Sequence, residues 1–369
     1  MSILIFTEPD DVHAVLVSLA LKQKGYACEL FFSADMPSIQ KNNLYFSGEQ
    51  NAWHTIVDND NEIKWSAKDI EAIWWRRPRR PFIPKNIHQD DASFVRKENF
   101  VFHESIPYLF NSDAWWVNPI ASTYKTRSKI VQLKSAQKCG LMVPETLISN
   151  SPEEIKQFIR YAQKTAVIYK PFFPHFWAEE EGMKLLYTDK VSLEDLPSDP
   201  MLQVVPGIYQ KYIEKKYELR VTCFGTHISA VKIDSQYHAS GKTDWRKIPG
   251  DALSLSAVEL PSAIKNKIIA FMQEIGVVFG CFDFIVTPED EIIFLEVNEQ
   301  GQFLWVEERL PELCYMDMFA EFMLQKRFDF SWKPSSHTLS TKDYDAQAEK
   351  IVKENMQKHV YLNQVKRVA

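Results

Sequence analysis

Glycine is scarce in this chain, and its placement excludes the two commonest loops that cradle phosphate groups. Only 11 of the 369 residues are glycine. None of them forms the GxGxxG fingerprint of dinucleotide-binding folds or the GxxxxGK[ST] phosphate loop. A nucleotide site in this chain would therefore depend on a different set of groups.

Cysteine is too scattered to predict a structural role. The chain has an odd number of cysteines, with no CxxC pair, and they are Cys28, Cys139, Cys223, Cys281 and Cys314. A disulfide framework and a zinc site are both disfavoured, and a reducing compartment is the expectation. We therefore predict a cytoplasmic protein.

Strong charge and long apolar runs are lacking as well. The formal net charge of −6 gives no general attraction to nucleic acid or to anionic membranes. No apolar run approaches the roughly 20 residues of a membrane helix. The first residues meet Glu8, Asp10 and Asp11 too early for a signal peptide. We expect neither nucleic acid nor a membrane among its partners.

What the chain does have is the apolar content of a packed protein, with 45% hydrophobic residues and ten tryptophans. Its length suffices for two or three domains. At the amino end, a strand at Ser2–Phe6, a helix at Val12–Lys24 and a strand at Cys28–Phe32 predict an α/β unit. The polar segment Asp35–Asn61 is predicted to be irregular. We assign residues 1–118 to one α/β domain.

The remaining chain is predicted to form a central lobe, a carboxy-terminal lobe and a helical tail, over 119–202, 203–330 and 331–369. The central lobe should hold a helix near Lys125–Cys139 and a second helix begun by the capping box SPEE at 151–154. Strands dominate from Gln203–Val205 onward, which makes the carboxy-terminal lobe α+β. The tail has a helical pattern around 347–360.

One predicted hairpin carries polar residues where apolar ones are expected. The stretch CFDFIVTPEDEIIFLEVNEQGQ at 281–302 reads as two apolar strands joined by a tight turn. Glu296 and Asn298 are two apart and share a face, and pairing across the turn can bring Asp283 near them. Two carboxylates and an amide oxygen suit Mg²⁺. A solvated sheet face is the alternative, but acids between buried neighbours need a partner.

Other residues have the chemistry to hold a nucleotide. Lys170 ends an apolar strand, where its ammonium group can reach a phosphate, and Lys129 on an amphipathic helix fits the same role. An ordinary surface lysine is the alternative for Lys129. The extended stretch at 209–213 can offer its backbone to an adenine edge. Glu218 can accept from ribose hydroxyls and Arg220 can clamp a phosphate, although an exposed edge strand would look similar.

The order of these parts resembles the ATP-grasp superfamily of carboxylate ligases. The nearest resemblance is to the branch that contains ribosomal-protein glutamate ligase and the microviridin-type, or graspetide, peptide cyclases. It rests on IWWRRP at 73–78, NPIASTYKTRSKIVQLKSAQKCGLMVPETLISN at 118–150, IYKP at 168–171, IYQKYIEKKYELRVTCFG at 208–225, DWR at 244–246 and FLEVNEQGQ at 294–302. The resemblance implies an ATP-grasp fold with an amino-terminal pre-ATP-grasp α/β domain, a central lid domain and a carboxy-terminal mixed-sheet domain.

The resemblance also implies how ATP is held. Lys129 matches one of the two lysines that contact the nucleotide phosphates. Gln210, Tyr212 and Ile213 match the hinge that faces adenine, and Glu218 matches the acid on the ribose side. The hinge usually carries an acid where this chain has a lysine, but adenine contacts there are largely made by the backbone.

A second group of matches implies the catalytic centre. Lys170 matches the second phosphate-binding lysine, and Arg220 matches the arginine near the γ-phosphate and the acyl phosphate. These two are the expected catalytic residues. Asp283, Glu296 and Asn298 match the magnesium ligands, for which two Mg²⁺ ions are expected. The loop over the phosphates is poor in glycine, as it is in the peptide-cyclase branch.

The implied activity is ligation through an acyl phosphate. A carboxylate attacks the γ-phosphate of ATP, and an amine or hydroxyl then attacks the acyl phosphate to form an amide or an ester. The expected partner is a ribosomally made precursor peptide with a leader and an acidic core, whose side chains become cross-linked. Two alternatives are a ligase that adds amino acids to a protein terminus or a small metabolite, and a non-enzymatic nucleotide-binding regulator. A homodimer follows only by analogy with relatives.

A basic run, WWRRPRR at 74–80, is the local exception to the acidic balance. Arginine forks suit carboxylates, so we expect Arg76 or Arg77 to face the active site and hold an acidic peptide. Asp244 and Arg246 are expected to serve the same groove. A structural cluster of ion pairs beside two buried tryptophans is the alternative for the arginine run.

Overall fold

The computed structural model describes residues 2–47, 50–57, 61–66, 69–110, 113–162, 165–173, 176–179, 182–185 and 188–362. Within these ranges the chain folds into three successive lobes, each built on a sheet of four or five strands. The predicted class is confirmed, because a parallel α/β sheet opens the chain and antiparallel sheets with helices follow.

The amino-terminal lobe comprises β1 (Ser2–Phe6), α1 (Val12–Gln23), β2 (Ala27–Phe31), β3 (Gln40–Ser47), β4 (Gln50–Val57), β5 (Asn61–Ser66), β6 (Ile70–Trp75), α2 (Ala92–Ser105) and β7 (Trp115–Val117). A parallel sheet has the strand order β2-β1-β6-β7. The predicted β-α-β opening is present to within one or two residues. Strand β6 is central, and the basic run begins where it ends.

The prediction of irregular structure over Asp35–Asn61 was wrong, because β3, β4 and β5 form an antiparallel sheet in that order. The segment is polar overall, but it also contains aromatic and β-branched residues such as Tyr45, Trp53 and Val57. Such residues are enriched in strands. The overall polarity of the segment concealed this strand signal.

The central lobe comprises α3 (Ile120–Arg127), α4 (Lys129–Lys138), β8 (Thr146–Ser149), α5 (Pro152–Tyr161), β9 (Val167–Lys170), β10 (Phe176–Glu179), β11 (Gly182–Leu185), β12 (Asp189–Val191), α6 (Asp199–Val204) and β13 (Gly207–Lys211). Its antiparallel sheet has the order β12-β9-β13-β8, and β10 pairs with β11. Strand β13 pairs with β8 and β9 although it lies after residue 202.

Two local predictions in this lobe were wrong. The single helix near Lys125–Cys139 is two helices, broken at Ser128, whose hydroxyl accepts the Val131 N–H at 3.4 Å and so caps α4. Lys129 therefore stands at the first residue of a helix. The predicted strand at Gln203–Val205 is the end of α6, where a proline at the second helical position favours helix initiation.

The carboxy-terminal lobe comprises β14 (Tyr217–Phe224), β15 (His227–Ile233), β16 (Leu255–Val258), α7 (Ser262–Ile275), β17 (Phe279–Val286), β18 (Ile292–Asn298), α8 (Leu304–Glu307) and α9 (Tyr315–Gln325). Its antiparallel sheet has the order β16-β15-β14-β17-β18. Helix α7 ends at Gly276, which has a φ of +84°; a left-handed residue at a helix end favours glycine.

The amino-terminal and carboxy-terminal lobes share one hydrophobic core. Trp74 of β6 packs on Phe319 of α9, with ring centroids 4.5 Å apart. Phe319 also contacts Phe279 at 4.9 Å and Phe303 at 5.1 Å. All four rings are buried. Burial of such side chains stabilises by about 1.5–3 kcal/mol each, so the two lobes are joined by apolar packing.

The tail also packs on the amino-terminal lobe. Helix α10 (Asp345–Lys358) lies against α1, with Ala348 buried in the shared core. Just after it, His359 Nδ1 lies 2.6 Å from Asp35 Oδ2. No helix in the described part of the chain is long and apolar enough to cross a membrane.

Candidate active site

Three residues stand in a row across the carboxy-terminal sheet. In the strand register, Arg220 of β14 lies opposite Asp283 of β17, and Asp283 lies opposite Glu296 of β18. Directly opposed residues share one face of a sheet. Nη1 of Arg220 donates to both carboxylate oxygens of Asp283 at 2.9 Å. The hairpin pairing predicted from the sequence is therefore confirmed.

Two lysines from the central lobe face the same row. Nζ of Lys129 donates to Oε2 of Glu296. Lys170, at the end of β9, is partly buried, and burial lowers its pKa, as do the neighbouring cations Lys129 and Arg246. Burial alone would raise the pKa of Glu296, but Lys129, Lys170 and Arg246 lower it to about 2. The carboxylate is thus ionised and surrounded by cations.

Asp283 is in a different electrostatic state from Glu296. Burial and the neighbouring Glu296 carboxylate raise the pKa of Asp283, against the lowering effect of Arg220. Two acids on one face cannot both ionise freely unless positive charge lies between them. A cation of higher charge than arginine would suit this pair.

The third predicted magnesium ligand is turned toward its own loop. Oδ1 of Asn298 accepts the backbone N–H groups of Gln300 and Gly301, both at 3.1 Å. Asn298 therefore lies beside the carboxylate row, and its amide oxygen shapes the turn that follows β18.

The predicted adenine hinge follows β13 on the central lobe. Nε2 of Gln210 donates to Thr146 Oγ1 at 2.9 Å, while its buried Oε1 has no partner among the described residues. The Tyr212 N–H donates to the Ala166 carbonyl at 3.0 Å. The Tyr212 ring lies 3.9 Å from Nζ of Lys190. The Ile213 N–H has no backbone partner within the described ranges.

Glu218 lies on the same face of β14 as Arg220, since the two residues are two apart. Its Oε1 accepts from Nζ of Lys215 at 2.9 Å, and Lys215 also donates to the Thr243 carbonyl at 2.8 Å. Burial raises the pKa of Glu218. The acid predicted for the ribose side is therefore buried beside Arg220 and paired with one lysine.

Asp244 and Arg246 form a bidentate pair in the long connection between β15 and β16. Nε and Nη2 of Arg246 donate to the two Asp244 oxygens at 2.8 and 2.6 Å. Arg246 is close enough to Glu296 and Asp283 for their charges to raise its pKa, after the larger effect of Asp244. This pair therefore borders the carboxylate row, and its role in a substrate groove stays a prediction.

The two arginines of the basic run are placed differently from each other. Arg76 is fully enclosed, pairs with Asp11 at 3.2 Å and donates to backbone carbonyls of the loop after β18. Arg77 is partly exposed and pairs with Glu8 at 2.8 Å. Enclosure of Arg76 favours the structural alternative for that residue. A peptide contact by Arg77 stays a prediction.

The sequence analysis missed several polar residues that fix the site. Asn118, treated only as a boundary, accepts from the Val278 and Phe279 N–H groups and donates to the carbonyls of Phe279 and Glu299. Gln132 pairs with both backbone groups of Val297. His13 accepts from the backbone N–H groups of Phe303 and Leu304, in the loop that follows β18. No local pattern marks such residues, since each contact spans more than 150 positions.

The donor set fits a hard cation shared with phosphate. Within the described ranges no cluster of three or more His, Cys, Asp and Glu residues could hold a metal by itself. The two carboxylates and the amide oxygen leave coordination positions to be filled from elsewhere, as Mg²⁺ sites that use substrate phosphates do. The cations that now balance Asp283 and Glu296 are the groups that would meet those phosphates.

The chain matches no protein-family model and no curated protein, but solved structures resemble it along nearly its whole length. Macrocyclase MdnC of Microcystis aeruginosa MRC, solved with precursor peptide MdnA, is 28% identical with a TM-score of 0.76 and covers 89% of this chain and 100% of its own. A RiPP-associated ATP-grasp ligase of Chryseobacterium gregarium, solved with ADP and a leader and core peptide, is 27% identical with a TM-score of 0.78, over 88% and 97%.

The chain is an ATP-grasp ligase. The predicted resemblance to the peptide-cyclase branch is thereby confirmed. Macrocyclase MdnB of Microcystis aeruginosa MRC, 24% identical over 88% of this chain and 99% of its own, has the same fold with a TM-score of 0.73. The roles of individual residues in this ATP-grasp ligase stay predictions.

Proposed function

We propose that this ATP-grasp ligase joins side chains within a ribosomally made precursor peptide, forming esters or amides at the expense of ATP. The observation that carries the proposal is the row Arg220–Asp283–Glu296, faced by Lys129 and Lys170, in a chain that resembles two precursor-peptide ligases over nearly their whole length. The substrate is expected to bring a leader and an acidic core.

The position of each residue suggests which part of Mg²⁺ and ATP it would contact. Asp283, Glu296 and Asn298 would hold Mg²⁺, and its chemistry is to neutralise phosphate charge during transfer. Lys129 and Lys170 would contact the phosphates. Gln210, Tyr212 and Ile213 would border the adenine, and Glu218 would accept from the ribose.

Arg220 would stabilise the negative charge that develops on the acyl phosphate, because its guanidinium group is enclosed and fixed by Asp283. Arg246, whose orientation is fixed by its two hydrogen bonds to Asp244, would contact the peptide carboxylate that reacts. Arg77 would bind acidic side chains of the peptide core. In the first step, a carboxylate oxygen of the peptide forms a bond to the γ-phosphorus of ATP, and ADP leaves. A hydroxyl or amine then bonds to the carbonyl carbon while phosphate leaves and a proton is released.

Some finer expectations remain predictions. These are a second Mg²⁺ ion, a homodimer, a cytoplasmic location and the domain boundaries at 118, 202 and 330.

The test is intact mass spectrometry of the small-protein fraction of the source cell, incubated with the purified chain, Mg²⁺ and ATP. We expect one or more peptides to lose the mass of one or more waters, with ATP converted to ADP and phosphate. A gain of whole amino-acid residues would instead place the chain with ligases that extend a terminus.

A matched pair of variants assigns the activity to the site. Glu296→Gln removes the carboxylate that pairs with Lys129 at one end of α4 and should abolish the mass loss. Glu274→Gln removes the carboxylate that pairs with Lys138 at the other end of α4, at 2.7 Å on the surface, and should leave it unchanged. Equal effects of the two variants would contradict the assignment.

A further inference from the structure

The loop that follows β18 is held by the amino-terminal lobe. The backbone N–H groups of Phe303 and Leu304 both donate to Nε2 of His13, at 3.2 and 3.1 Å. His13 lies in the first turn of α1, 290 positions away along the chain. A ring nitrogen that accepts twice carries no proton, so His13 is neutral with its proton on Nδ1. Burial and the nearby Arg76 keep it so by lowering its pKa to about 3.

Arg76 holds the preceding residues of the same loop. Its Nη1 donates to the carbonyls of Gln300, at 2.6 Å, and of Gly301. Its Nε donates to Asp11 at 3.2 Å, and Asp11 is in turn fixed by the Thr7 hydroxyl at 2.8 Å. The side chain is fully enclosed, so these contacts are shielded from water and no peptide can reach it.

Two residues of the proposed catalytic centre, Asn298 and Arg220, hydrogen-bond to the backbone of the same loop. The amide oxygen of Asn298 accepts from Gln300 and Gly301, whose carbonyls are the ones that Arg76 holds. Nη2 of Arg220 donates to the carbonyl of Gln302 at 2.9 Å, one residue before the first N–H that His13 accepts. A displacement of this backbone would therefore move Asn298 and Arg220 together.

We propose that His13 and Arg76 are positioning residues for ligation, through which the amino-terminal lobe fixes the loop 299–304 and thereby sets Asn298 and Arg220 against magnesium and the phosphates. The inference rests on the proposed ATP- and magnesium-dependent function. It replaces the expected peptide contact of Arg76 by a role in shaping the site.

The test compares His13→Leu, which removes the acceptor, with His13→Gln, whose side-chain oxygen can take the place of Nε2. His103→Leu is the control. His103 is buried in the same lobe and packs on Trp75, with ring centroids 6.3 Å apart, so its loss costs stability without touching the loop.

Three quantities are measured on the full chain: hydrogen–deuterium exchange over 298–304, the affinity for ADP at increasing Mg²⁺ concentration, and kcat and KM for ATP with the peptide found above. His13→Leu should speed exchange at Phe303 and Leu304, raise the Mg²⁺ concentration needed for tight ADP binding and lower kcat, the last two by about 10- to 100-fold. KM for ATP should change little, because the adenine hinge lies on the central lobe. His13→Gln should stay close to the wild type.

Two results would overturn the proposal. One is unchanged exchange and Mg²⁺ dependence in His13→Leu, and the other is the same changes in His103→Leu. If His13→Leu does not fold, Arg76→Lys decides, since it keeps the charge but cannot span both carbonyls. Arg76→Lys should show the same changes in hydrogen exchange, Mg²⁺ dependence and kcat as expected for His13→Leu, and wild-type values would refute the inference. If the wild-type chain shows no Mg²⁺-dependent ADP binding, the proposed function fails, and the exchange measurement still decides whether His13 holds the loop.

Discussion

Removal of Arg220 should destabilise the chain mainly because it leaves Asp283 unpaired. The Arg220 side chain is 7% exposed and that of Asp283 is 20% exposed, and the pair has two 2.9 Å hydrogen bonds. Breaking a buried ion pair by removing one partner costs about 3–5 kcal/mol. We expect Arg220→Met to lower the free energy of unfolding by about 3 kcal/mol, toward the low end because Asp283 is partly exposed.

A second substitution isolates that cause. In Arg220→Met/Asp283→Asn no charge is left unpaired, so the double variant should be more stable than Arg220→Met although it carries one more change. The coupling between the two sites should be about 2 kcal/mol, within the range for residues in direct contact. Arg327→Met is the matched control, because Arg327 pairs with Asp329 on the surface, where both side chains are more than half exposed. Its free energy of unfolding should stay close to that of the wild type, because exposed ion pairs contribute little to stability.

The assay is urea unfolding followed by tryptophan fluorescence, with EDTA present. The sign of the pH dependence gives a second check. Without Arg220 the pKa of Asp283 loses its lowering influence, so the folded chain binds a proton more readily than the unfolded chain does. Arg220→Met should therefore regain stability as the pH falls below neutrality. The reasoning would be refuted if the losses in the free energy of unfolding caused by the two substitutions were additive. It would also be refuted if Arg220→Met did not become more stable at lower pH.

Two further predictions concern single residues. The pKa of His13 is near 6.5 in the unfolded chain and about 3 in the folded chain. The free energy of unfolding of the wild type should therefore decrease as the pH is lowered from 6.5 to 3, and it should be independent of this group at higher pH. At one pH unit below 6.5 the loss should be about 1.4 kcal/mol, and unfolding of His13→Gln across the same pH range should lack that contribution. Gly225→Ala should cost more than about 3 kcal/mol, because Gly225 has a φ of +57° and a Cβ there would overlap the Phe328 carbonyl oxygen; a thermal melt within a few degrees of the wild type would contradict this.

Much of the candidate active site could be predicted from sequence, because the patterns that indicate its residues are local. The placement of Asp283, Glu296 and Asn298 follows from two strands, one turn and a period of two. Helix α7 and its end at Gly276 follow in the same way from periodicity and a glycine stop. Lys170 is identified by an apolar run that ends in a charged residue, and Glu218 and Arg220 by their spacing of two on one strand.

Tertiary structure decided which groups those residues meet. Pairing of Lys129 with Glu296 joins two lobes and could not be inferred, because a lysine at the start of a helix has no local sign of its partner. Arg76 and Arg77 are adjacent and chemically identical, yet one is enclosed against a loop 224 positions away and the other is partly exposed. His13 became an acceptor only because the amino-terminal and carboxy-terminal lobes share a core around Trp74 and Phe319. Sequence by itself determined the chemistry of this site, through residue type and short-range period. Its geometry came from contacts between lobes, since burial and partner choice depend on chain segments that sequence order keeps far apart.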